Sequence, residues 1–381
     1  MRVETQGENG QRTTDKELLT SDSWLLTPDS SLMRPRPVAL ALIWFFPALV
    51  VAGRVAKADE PYFHSELIFA PNSLPKFPSC HASTLVELPN GEILAAWFAG
   101  TEEGAPDTAE VGARLAPGAA LWSTPAVLVD TPGKADGNSV LHLDRRGRVW
   151  IFYVTKERDA PSSWAQCRVK CRISSDGGRT FGPERILREE LGWMVRNKPI
   201  YLANGNLVLP LYDERNWTSL LDISPDDGAT WSASASMAGQ GGNIQPTIVQ
   251  LSDGGMLALM RTGSPRHRLW ESTSQNNGRT WTTPVETALP NPNSACDMVR
   301  LANGHLVLVF NDSTKDRTPL TVALSTDEGR TWPRKRNLET SAGEFSYPAV
   351  IQTRDGLIHV TYTYLRKSIK HAAFNEAWIA E

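Results

Sequence analysis

The sequence predicts an all-β protein, a six-bladed β-propeller built from four-stranded blades. An eight-residue turn motif occurs four times, as SSDGGRTF, SPDDGATW, SQNNGRTW and STDEGRTW. A second pattern, two short apolar strands around a turn with glycine, occurs six times. No long apolar period of 3.6 residues competes with the strands, so repeated hairpins dominate the chain.

The turn motif occupies residues 174–181, 224–231, 274–281 and 325–332. Each copy has Asp or Asn to bond neighbouring backbone N–H groups and glycine for a positive φ, and it ends in an aromatic residue. We expect each copy to join the two outer strands of a blade, in repeats two to five. Its acidic residues are therefore predicted to stabilise turns rather than to catalyse.

The six strand hairpins are rich in Val, Ile, Leu, Tyr and Thr, and their turn glycines stand about 50 to 58 residues apart, which suits one blade per repeat. These glycines are Gly91, Gly147, Gly205, Gly254, Gly304 and Gly356. Repeat six lacks a turn motif, so its outer strand is expected to come from YFHSELIF, residues 62–69. A ring closed in this way leaves no free sheet edge.

The N-terminal region divides into two predicted segments ahead of one propeller domain, residues 59–381. Residues 1–32 are interpreted as a misassigned or disordered leader. Residues 33–58 have arginines, then an apolar run, then an A-x-A pattern, and are typical of a secretory signal peptide. We therefore expect a secreted or periplasmic protein with no stable membrane span after cleavage; an uncleaved anchor is the alternative.

The net charge and the cysteines limit the kinds of partner and bound group that we expect. The formal net charge is -3 at pH 7, which does not favour binding to nucleic acid or to an anionic membrane.

The chain has four cysteines, Cys80, Cys167, Cys171 and Cys296. They are able to form disulfides in an exported chain, and the sequence leaves the connectivity open. A metal site is not expected, because no second CxxC or HxxxH accompanies them. We expect a monomer.

Polar residues gather at one predicted face of the ring. In a propeller, the start of each innermost strand and the end of the next strand lie on the same face, so these positions should line one central pocket. The inner-strand positions include His81, Asn138, Arg196, Lys198, Gln245 and Tyr347. The second-strand positions and the loops after them include Asp107, Arg261 and Arg317.

With these turn motifs and this face, residues 63–381 resemble the sialidase superfamily, specifically its six-bladed propellers with bacterial neuraminidase repeats, or Asp boxes. The resemblance implies an exo-glycoside hydrolase acting on a carboxylate-bearing sugar such as sialic acid, without metal or organic cofactor. Arg261 and Arg317 match the family's second and third carboxylate-binding arginines. Tyr347 matches its nucleophile, and Asp107 is the candidate acid/base.

Two positions depart from the family pattern. Cys80-His81 stands where the family has its first arginine, and Ile244-Gln245 stands where it has the Glu that supports the tyrosine. Each charge-assisted bond to a carboxylate is worth about 1.5–3 kcal/mol, so the lost arginine weakens carboxylate binding. Arg196 or Lys198 is the candidate replacement. The candidates for the missing base are Asp213, Glu214 and Glu103.

Two further functions remain open at the level of sequence. Elimination from a uronic acid glycan needs a base and a cation, for which His81, Tyr347, Arg261 and Arg317 are suitable residue types. A secreted propeller that binds glycans without turnover is the other. Asn138 and Gln245, on the same predicted face, are further candidate substrate-binding residues.

Overall fold

Six antiparallel sheets form the blades of a β-propeller, as the repeats predict. The computed structural model describes residues 60–157 and 164–381. The leader and signal peptide predicted for residues 1–32 and 33–58 lie outside the described residues. No helix among the described residues is long and apolar enough to cross a membrane.

The blades follow one another in chain order. The first strand, β1 (Phe63–Leu67), belongs to the last blade. Blade 1 comprises β2 (Ser79–Glu87), β3 (Ile93–Gly100), β4 (Ala109–Leu115) and β5 (Ala126–Val129). Blade 2 comprises β6 (Asp136–Leu143), β7 (Val149–Lys156), β8 (Cys167–Ser174) and β9 (Arg185–Ile186), with a short 3₁₀ segment, Trp164–Gln166, before β8. Blade 3 comprises β10 (Trp193–Val195), β11 (Ile200–Tyr201), β12 (Leu207–Asp213), β13 (Thr218–Ser224) and β14 (Ser232–Ala233).

The remaining blades keep the same order. Blade 4 comprises β15 (Asn243–Gln250), β16 (Met256–Thr262), β17 (Arg268–Ser274) and β18 (Val285–Pro290). Blade 5 comprises β19 (Asp297–Arg300), β20 (Leu306–Asn311), β21 (Leu320–Ser325) and β22 (Arg334–Glu339). Blade 6 comprises β23 (Phe345–Gln352), β24 (Ile358–Tyr364) and β25 (Ser368–Phe374), with β1 at its outer edge, and the chain then forms α1 (Glu376–Ala380).

The ring closes as the sequence predicts. Strand β1 pairs antiparallel with β25, from Phe63 opposite Phe374 to Leu67 opposite Lys370. Phe63 also stacks on Trp378 of α1, with ring centroids 4.5 Å apart. The N-terminal strand therefore supplies the outer edge of blade 6, for which the last repeat has no sequence of its own.

The Asp boxes join the third and fourth strands of blades 2 to 5, also as predicted. In the box of blade 5, the Ser325 hydroxyl accepts a hydrogen bond from the Gly329 N–H at 2.8 Å and donates to Asp327. Asp327 in turn accepts from the Thr331 N–H at 2.9 Å. Gly329 has a φ of 88°, a conformation that glycine adopts without strain. Each box is thus a locally satisfied turn.

The four cysteines are all buried free thiols, so the pairing left open by the sequence does not occur in this structure. Cys80 and Cys296 lie in blades 1 and 5. Cys167 and Cys171 both lie on β8, and a strand rises about 3.3 Å per residue, which separates them by more than a disulfide spans.

Inner-strand bulges shape the central face. The pairing of the first and second strands shifts register at the same place in blades 1, 2, 4 and 6. One residue in each bulge has a positive φ: Ala82, Asn138, Gln245 and Tyr347. A bulge with a left-handed residue redirects its side chain away from the normal alternation of a strand. Gln245 thereby contacts Tyr347, and Asn138 and Gln245 both contact Tyr212.

Candidate active site

Tyr347 lies at the centre of the predicted face and contacts two arginines. Its phenolic oxygen accepts a hydrogen bond from Arg261 Nη1 at 2.5 Å. The Arg317 guanidinium carbon lies 5.2 Å from the centroid of the Tyr347 ring. The ring is 8% exposed, so these charges act on it with little screening by water. The structure thus brings together the three residues that match the family pattern. We call His81, Gln245, Arg261, Arg317 and Tyr347 the central cluster.

The pKa of Tyr347 lies below the usual value of 10. Burial acts to raise this pKa, but the positive charges of Arg261 and Arg317 and the hydrogen bond from Gln245 favour the phenolate, and the net shift is downward. A tyrosine that lacks a supporting glutamate is thereby made more acidic by its cationic neighbours.

Asn138 joins the central cluster through Tyr212, a residue that the sequence did not single out. Gln245 accepts from Arg261 Nη1 at 3.2 Å and donates to the hydroxyls of Tyr347 and Tyr212, each at 3.4 Å. Asn138 donates to the Tyr212 hydroxyl at 3.0 Å. Burial holds the pKa of Tyr212 well above 10, so this second phenol keeps its proton. The only sequence signal for Tyr212 is its place near the end of β12, where it precedes the predicted face.

His81 packs against Tyr347 as a neutral imidazole. The two ring centroids are 4.1 Å apart. His81 Nδ1 lies 2.9 Å from the Thr363 hydroxyl, and its Nε2 lies 3.5 Å from Arg366 Nη2. Burial, followed by the charges of Arg366 and Arg317, holds the pKa of His81 well below 6.5. At neutral pH the position of the family's first arginine therefore carries no charge.

Arg366 supplies a third guanidinium beside this histidine, and the sequence analysis did not select it. Arg366 Nε donates to Glu344 at 3.0 Å, and its Nη1 donates to Glu103 at 2.5 Å. Glu344 also accepts from Arg317 Nη1 at 2.7 Å, so the two arginines share one carboxylate. The signal that was present is the position of Arg366 in the loop after β24, which belongs to the predicted face.

Arg366 is held there by an unusual turn. Leu365 and Arg366 both have positive φ, 54° and 53°, although neither is glycine. Such residues store strain of about 1–3 kcal/mol each and are concentrated at functional sites.

Arg196 and Lys198 do not occupy the place expected of a replacement arginine. Arg196 is 1% exposed and donates to backbone carbonyls, including that of Tyr347 at 2.6 Å. Lys198 pairs with the buried Asp297, with 2.8 Å between Nζ and Oδ2. Both cations are therefore already engaged by protein groups.

The candidate acid Asp107 lies exposed in the loop between β3 and β4. Its two carboxylate oxygens accept from the Thr101 N–H, each at 3.2 Å, and the Thr101 hydroxyl also donates to it. These hydrogen bonds are within its own loop, so they do not attach Asp107 to the central cluster.

The three acids named as replacement bases differ in their surroundings. Asp213 accepts from Arg215 and Asn216 of its own turn. Glu103 accepts from Arg366 and, at 3.1 Å, from Trp164. Burial raises the pKa of Glu214 although the charge of Arg261 opposes this. Burial therefore favours the protonated form of Glu214.

Two tryptophans border these residues. The Arg261 guanidinium carbon lies 5.7 Å from the Trp217 ring centroid, and Lys156 Nζ lies 5.6 Å from that of Trp164. Both rings are half-buried. An aromatic ring beside hydrogen-bonding and charged groups is suited to the apolar face and polar edge of a sugar.

Known proteins resemble this chain in sequence and in structure. The model of the BNR repeat-like domain family matches residues 91–360. A sialidase of Micromonospora viridifaciens is 24% identical over 389 residues, which covers 91% of this chain and 59% of that protein. This chain thus spans about three fifths of the length of that relative.

Two solved structures extend the comparison. The Hadza microbial sialidase Hz136 has a TM-score of 0.70 at 17% identity, covering 81% of this chain and 68% of that one. The intramolecular trans-sialidase from Ruminococcus gnavus, solved with oseltamivir carboxylate, has a TM-score of 0.68 at 14% identity, covering 82% and 98%. At these identities the likeness to solved structures shows the fold.

Proposed function

Since the chain belongs to the BNR repeat-like domain family and is a propeller of the sialidase superfamily, we propose that it is an exo-glycoside hydrolase. Its substrate is a glycan that ends in a carboxylate-bearing sugar, sialic acid or a relative of it. The observation that carries this proposal is the contact of 2.5 Å between Arg261 and the phenolic oxygen of Tyr347.

The arginines are proposed to bind the carboxylate. Arg261 and Arg317 approach Tyr347 from neighbouring blades, and Arg366 lies beside His81 at the position where the family's first arginine is absent. Guanidinium groups bind carboxylates through paired N–H donors, which also orients the sugar. Arg366 must exchange Glu103 or Glu344 for the substrate, so its contribution is expected to be smaller than that of Arg261.

Tyr347 is proposed to act as the nucleophile. Its oxygen attacks the anomeric carbon as the glycosidic bond breaks, and water then releases the sugar from the tyrosine. The lowered pKa of Tyr347 supports this role, because Arg261 and Arg317 favour the phenolate without a carboxylate base.

The leaving oxygen needs a proton from a carboxylic acid. Asp107 is proposed for this role by resemblance, and Glu214 competes with it because burial raises the pKa of Glu214. We expect the variant of the true acid, Asp107→Asn or Glu214→Gln, to lose kcat on substrates with poor leaving groups. The same variant should keep kcat on substrates with good leaving groups, since these need no protonation. A variant that lowers kcat equally on both kinds of substrate is not that of the acid.

Export is proposed as well, from the signal-like residues 33–58. We expect the mature chain to begin near Asp59 and to meet its glycan outside the cytoplasm. N-terminal sequencing of the protein recovered from the medium or periplasm checks this, and an intact Met1 or Met33 would contradict it.

Elimination from a uronate glycan is the second candidate. The observation in its favour is the neutral His81, whose ring lies 4.1 Å from that of Tyr347. A neutral imidazole is able to accept the C5 proton, and the arginines would neutralise the uronate.

Product mass spectrometry separates the candidates. The purified protein is incubated with sialylated and with uronate-containing glycans, alongside the variants Tyr347→Phe and Tyr201→Phe. Tyr201 also loses a phenolic hydroxyl but pairs with Asp227, outside the central cluster. We expect free sialic acid from the wild type and from Tyr201→Phe, and none from Tyr347→Phe.

Other products would overturn the proposal. An unsaturated fragment, lighter by one water than the hydrolysis product, establishes a lyase and makes His81 the next residue to change. Hydrolysis that survives Tyr347→Phe removes Tyr347 as nucleophile. Binding without any product identifies a glycan-recognition propeller.

A further inference from the structure

The inner strand of blade 3 is interrupted, unlike that of any other blade among the described residues. Strand β10 pairs with β12 up to Val195 opposite Leu211, and β11 resumes at Ile200 opposite Val208. Four residues on the inner strand therefore face two residues on β12, and one of those two is Pro210, which has no N–H to donate. The inserted chain includes residues 196–198, which we call the axial segment.

Each side chain of the axial segment reaches the inner strand of a different blade. Arg196 donates to backbone carbonyls of blades 1 and 6. Asn197 donates to backbone carbonyls of blade 4. Lys198 binds Asp297 and the Met298 carbonyl of blade 5, at 2.8 and 2.9 Å. Three consecutive residues thus join blade 3 to four other blades.

Two of these side chains, Arg196 and Asn197, bind the bulges that carry Tyr347 and Gln245. Arg196 Nη2 lies 2.6 Å from the Tyr347 carbonyl oxygen and 3.0 Å from that of Pro348. Asn197 Nδ2 lies 3.1 Å from the carbonyl oxygens of both Gln245 and Pro246. In each case the donor binds the left-handed residue and the proline after it. These carbonyls lie where the ladder is interrupted, so a side-chain donor satisfies them.

The burial of the Arg196 guanidinium is unfavourable by itself. It is 1% exposed, and its hydrogen bonds go to carbonyls of Ser83, Tyr347 and Pro348 rather than to a carboxylate. Placing a cation away from water without an ionic partner destabilises a fold unless another interaction offsets it. Its guanidinium carbon lies 5.2 Å from the centroid of the Tyr347 ring, which places this charge beside the phenol.

We propose that Arg196 and Asn197 are positioning residues for the proposed reaction: they hold the two bulges that present Tyr347 and Gln245 to the substrate. Neither residue touches the substrate. Arg196 has a second effect, because its charge favours the phenolate form of Tyr347. The catalytic part of this inference rests on the proposed hydrolase function.

Several other charged groups face Tyr347, and the effect of Arg196 must be separated from theirs. They are Arg261 on β16, Arg317 in the loop before β21, His81 on β2 and Glu103 in the loop after β3. Glu103 opposes the arginines, since its negative charge disfavours the phenolate. None of these residues is changed in the test below, so their influence is constant.

The test compares Arg196→Met with Arg354→Met. Arg354 is a matched control, because it also donates from one blade to carbonyls of another: Leu88 at 2.6 Å and Pro89 at 3.1 Å. Ionisation of Tyr347 is followed by phenolate absorbance, as the difference between each protein and the same protein with Tyr347→Phe. This readout needs no substrate.

We expect Arg196→Met to move the ionisation of Tyr347 upward by about one pH unit, the size also expected for losing Arg317, whose guanidinium carbon lies at the same distance from the ring. Arg354→Met should leave it unchanged. On the substrate found by product analysis, Arg196→Met should lower kcat by about 10- to 100-fold with KM nearly unchanged, because orientation rather than binding is lost.

The variant Arg196→Lys divides the two effects. It keeps the charge, so the titration of Tyr347 should remain near that of the wild type. A single ammonium does not reproduce the fixed fork that spans three carbonyls, so kcat should still fall. If Arg196→Met does not fold, the kcat of Arg196→Lys is the test. An unchanged kcat in this variant rejects the proposal.

Failure of this inference is distinguishable from failure of the proposed function. If Arg196→Met and Arg354→Met have the same titration and the same kcat, the axial segment only stabilises the ring. If the wild type hydrolyses no glycan but the Tyr347 titration moves only in Arg196→Met, the electrostatic role stands and the hydrolase proposal is wrong.

Discussion

The Asp box at Ser325 and the central cluster around Tyr347 are both networks of short polar contacts, but they differ in the sequence distance that those contacts span. Ser325 and Asp327 bind atoms within four residues of themselves. Tyr347 binds Arg261, which lies 86 residues away, and Gln245, which lies 102 away. A local network forms wherever its eight residues occur, whereas the central cluster requires the ring to close.

Their electrostatics differ as well. Hydrogen bonds from Thr331 lower the pKa of Asp327 to about 2, and this residue is only partly buried. The Asp327 carboxylate is therefore charged at neutral pH and has no proton to donate. Tyr347 is buried, and its lowered pKa depends on arginines from other blades. The same direction of shift thus has a local cause in the Asp box and a long-range cause in the central cluster.

Arg261→Met should break the central cluster most severely. It removes the hydrogen bonds to Tyr347 and Gln245 and one guanidinium that we propose binds the substrate. Each charge-assisted bond is worth about 1.5–3 kcal/mol, so kcat/KM on the sialylated substrate should fall at least about 100-fold. Arg330→Met, in the exposed part of an Asp box, is the matched control and should retain activity. Equal losses in both variants would remove the distinction between the two regions.

Arg317→Met should shift the pH dependence. Removing a cation from beside Tyr347 disfavours the phenolate and raises its pKa, by about one unit for a group at this distance. If the phenolate is the reactive form, activity increases as the pH rises through this pKa, so the rising limb of the kcat profile should move to higher pH. A limb that stays in place would show that another group titrates there.

Arg366→Met should have a smaller effect on binding. Its guanidinium already pairs with Glu103 and Glu344, so only part of its interaction is available to the substrate. We expect KM to rise about 10-fold, which corresponds to one charge-assisted bond, with kcat little changed. Steady-state kinetics with Lys367→Met as the neighbouring control checks this, and an unchanged KM would remove Arg366 from the carboxylate site.

Ser325→Ala should affect only stability. The Gly329 N–H loses its acceptor, and the free energy of unfolding should fall by about 1 kcal/mol. Urea denaturation measures this loss against Thr326→Ala, an exposed neighbour in the same turn. Kinetic constants should be those of the wild type. A loss of kcat without a loss of stability would assign the Asp boxes a role in catalysis that their local contacts do not predict.

Much of the architecture was determined by the sequence alone. The spacing of the turn glycines, the Asp boxes and the closure by residues 62–69 follow from patterns that repeat within about 60 residues, and the structure confirms them. Turn chemistry is local, because Asp, Ser and Gly act on their own backbone. Placement of Arg261, Arg317 and Tyr347 on one face followed from the same periodicity.

The tertiary structure alone decided which other side chains join the central cluster. Arg366 contacts His81 and Tyr212 contacts Gln245, whereas Arg196 is buried against backbone carbonyls and Lys198 pairs with Asp297. The bulges and the break in the inner strand of blade 3 determine where these side chains point. Their geometry depends on the packing of several strands around the axis, which a repeat in the sequence does not specify.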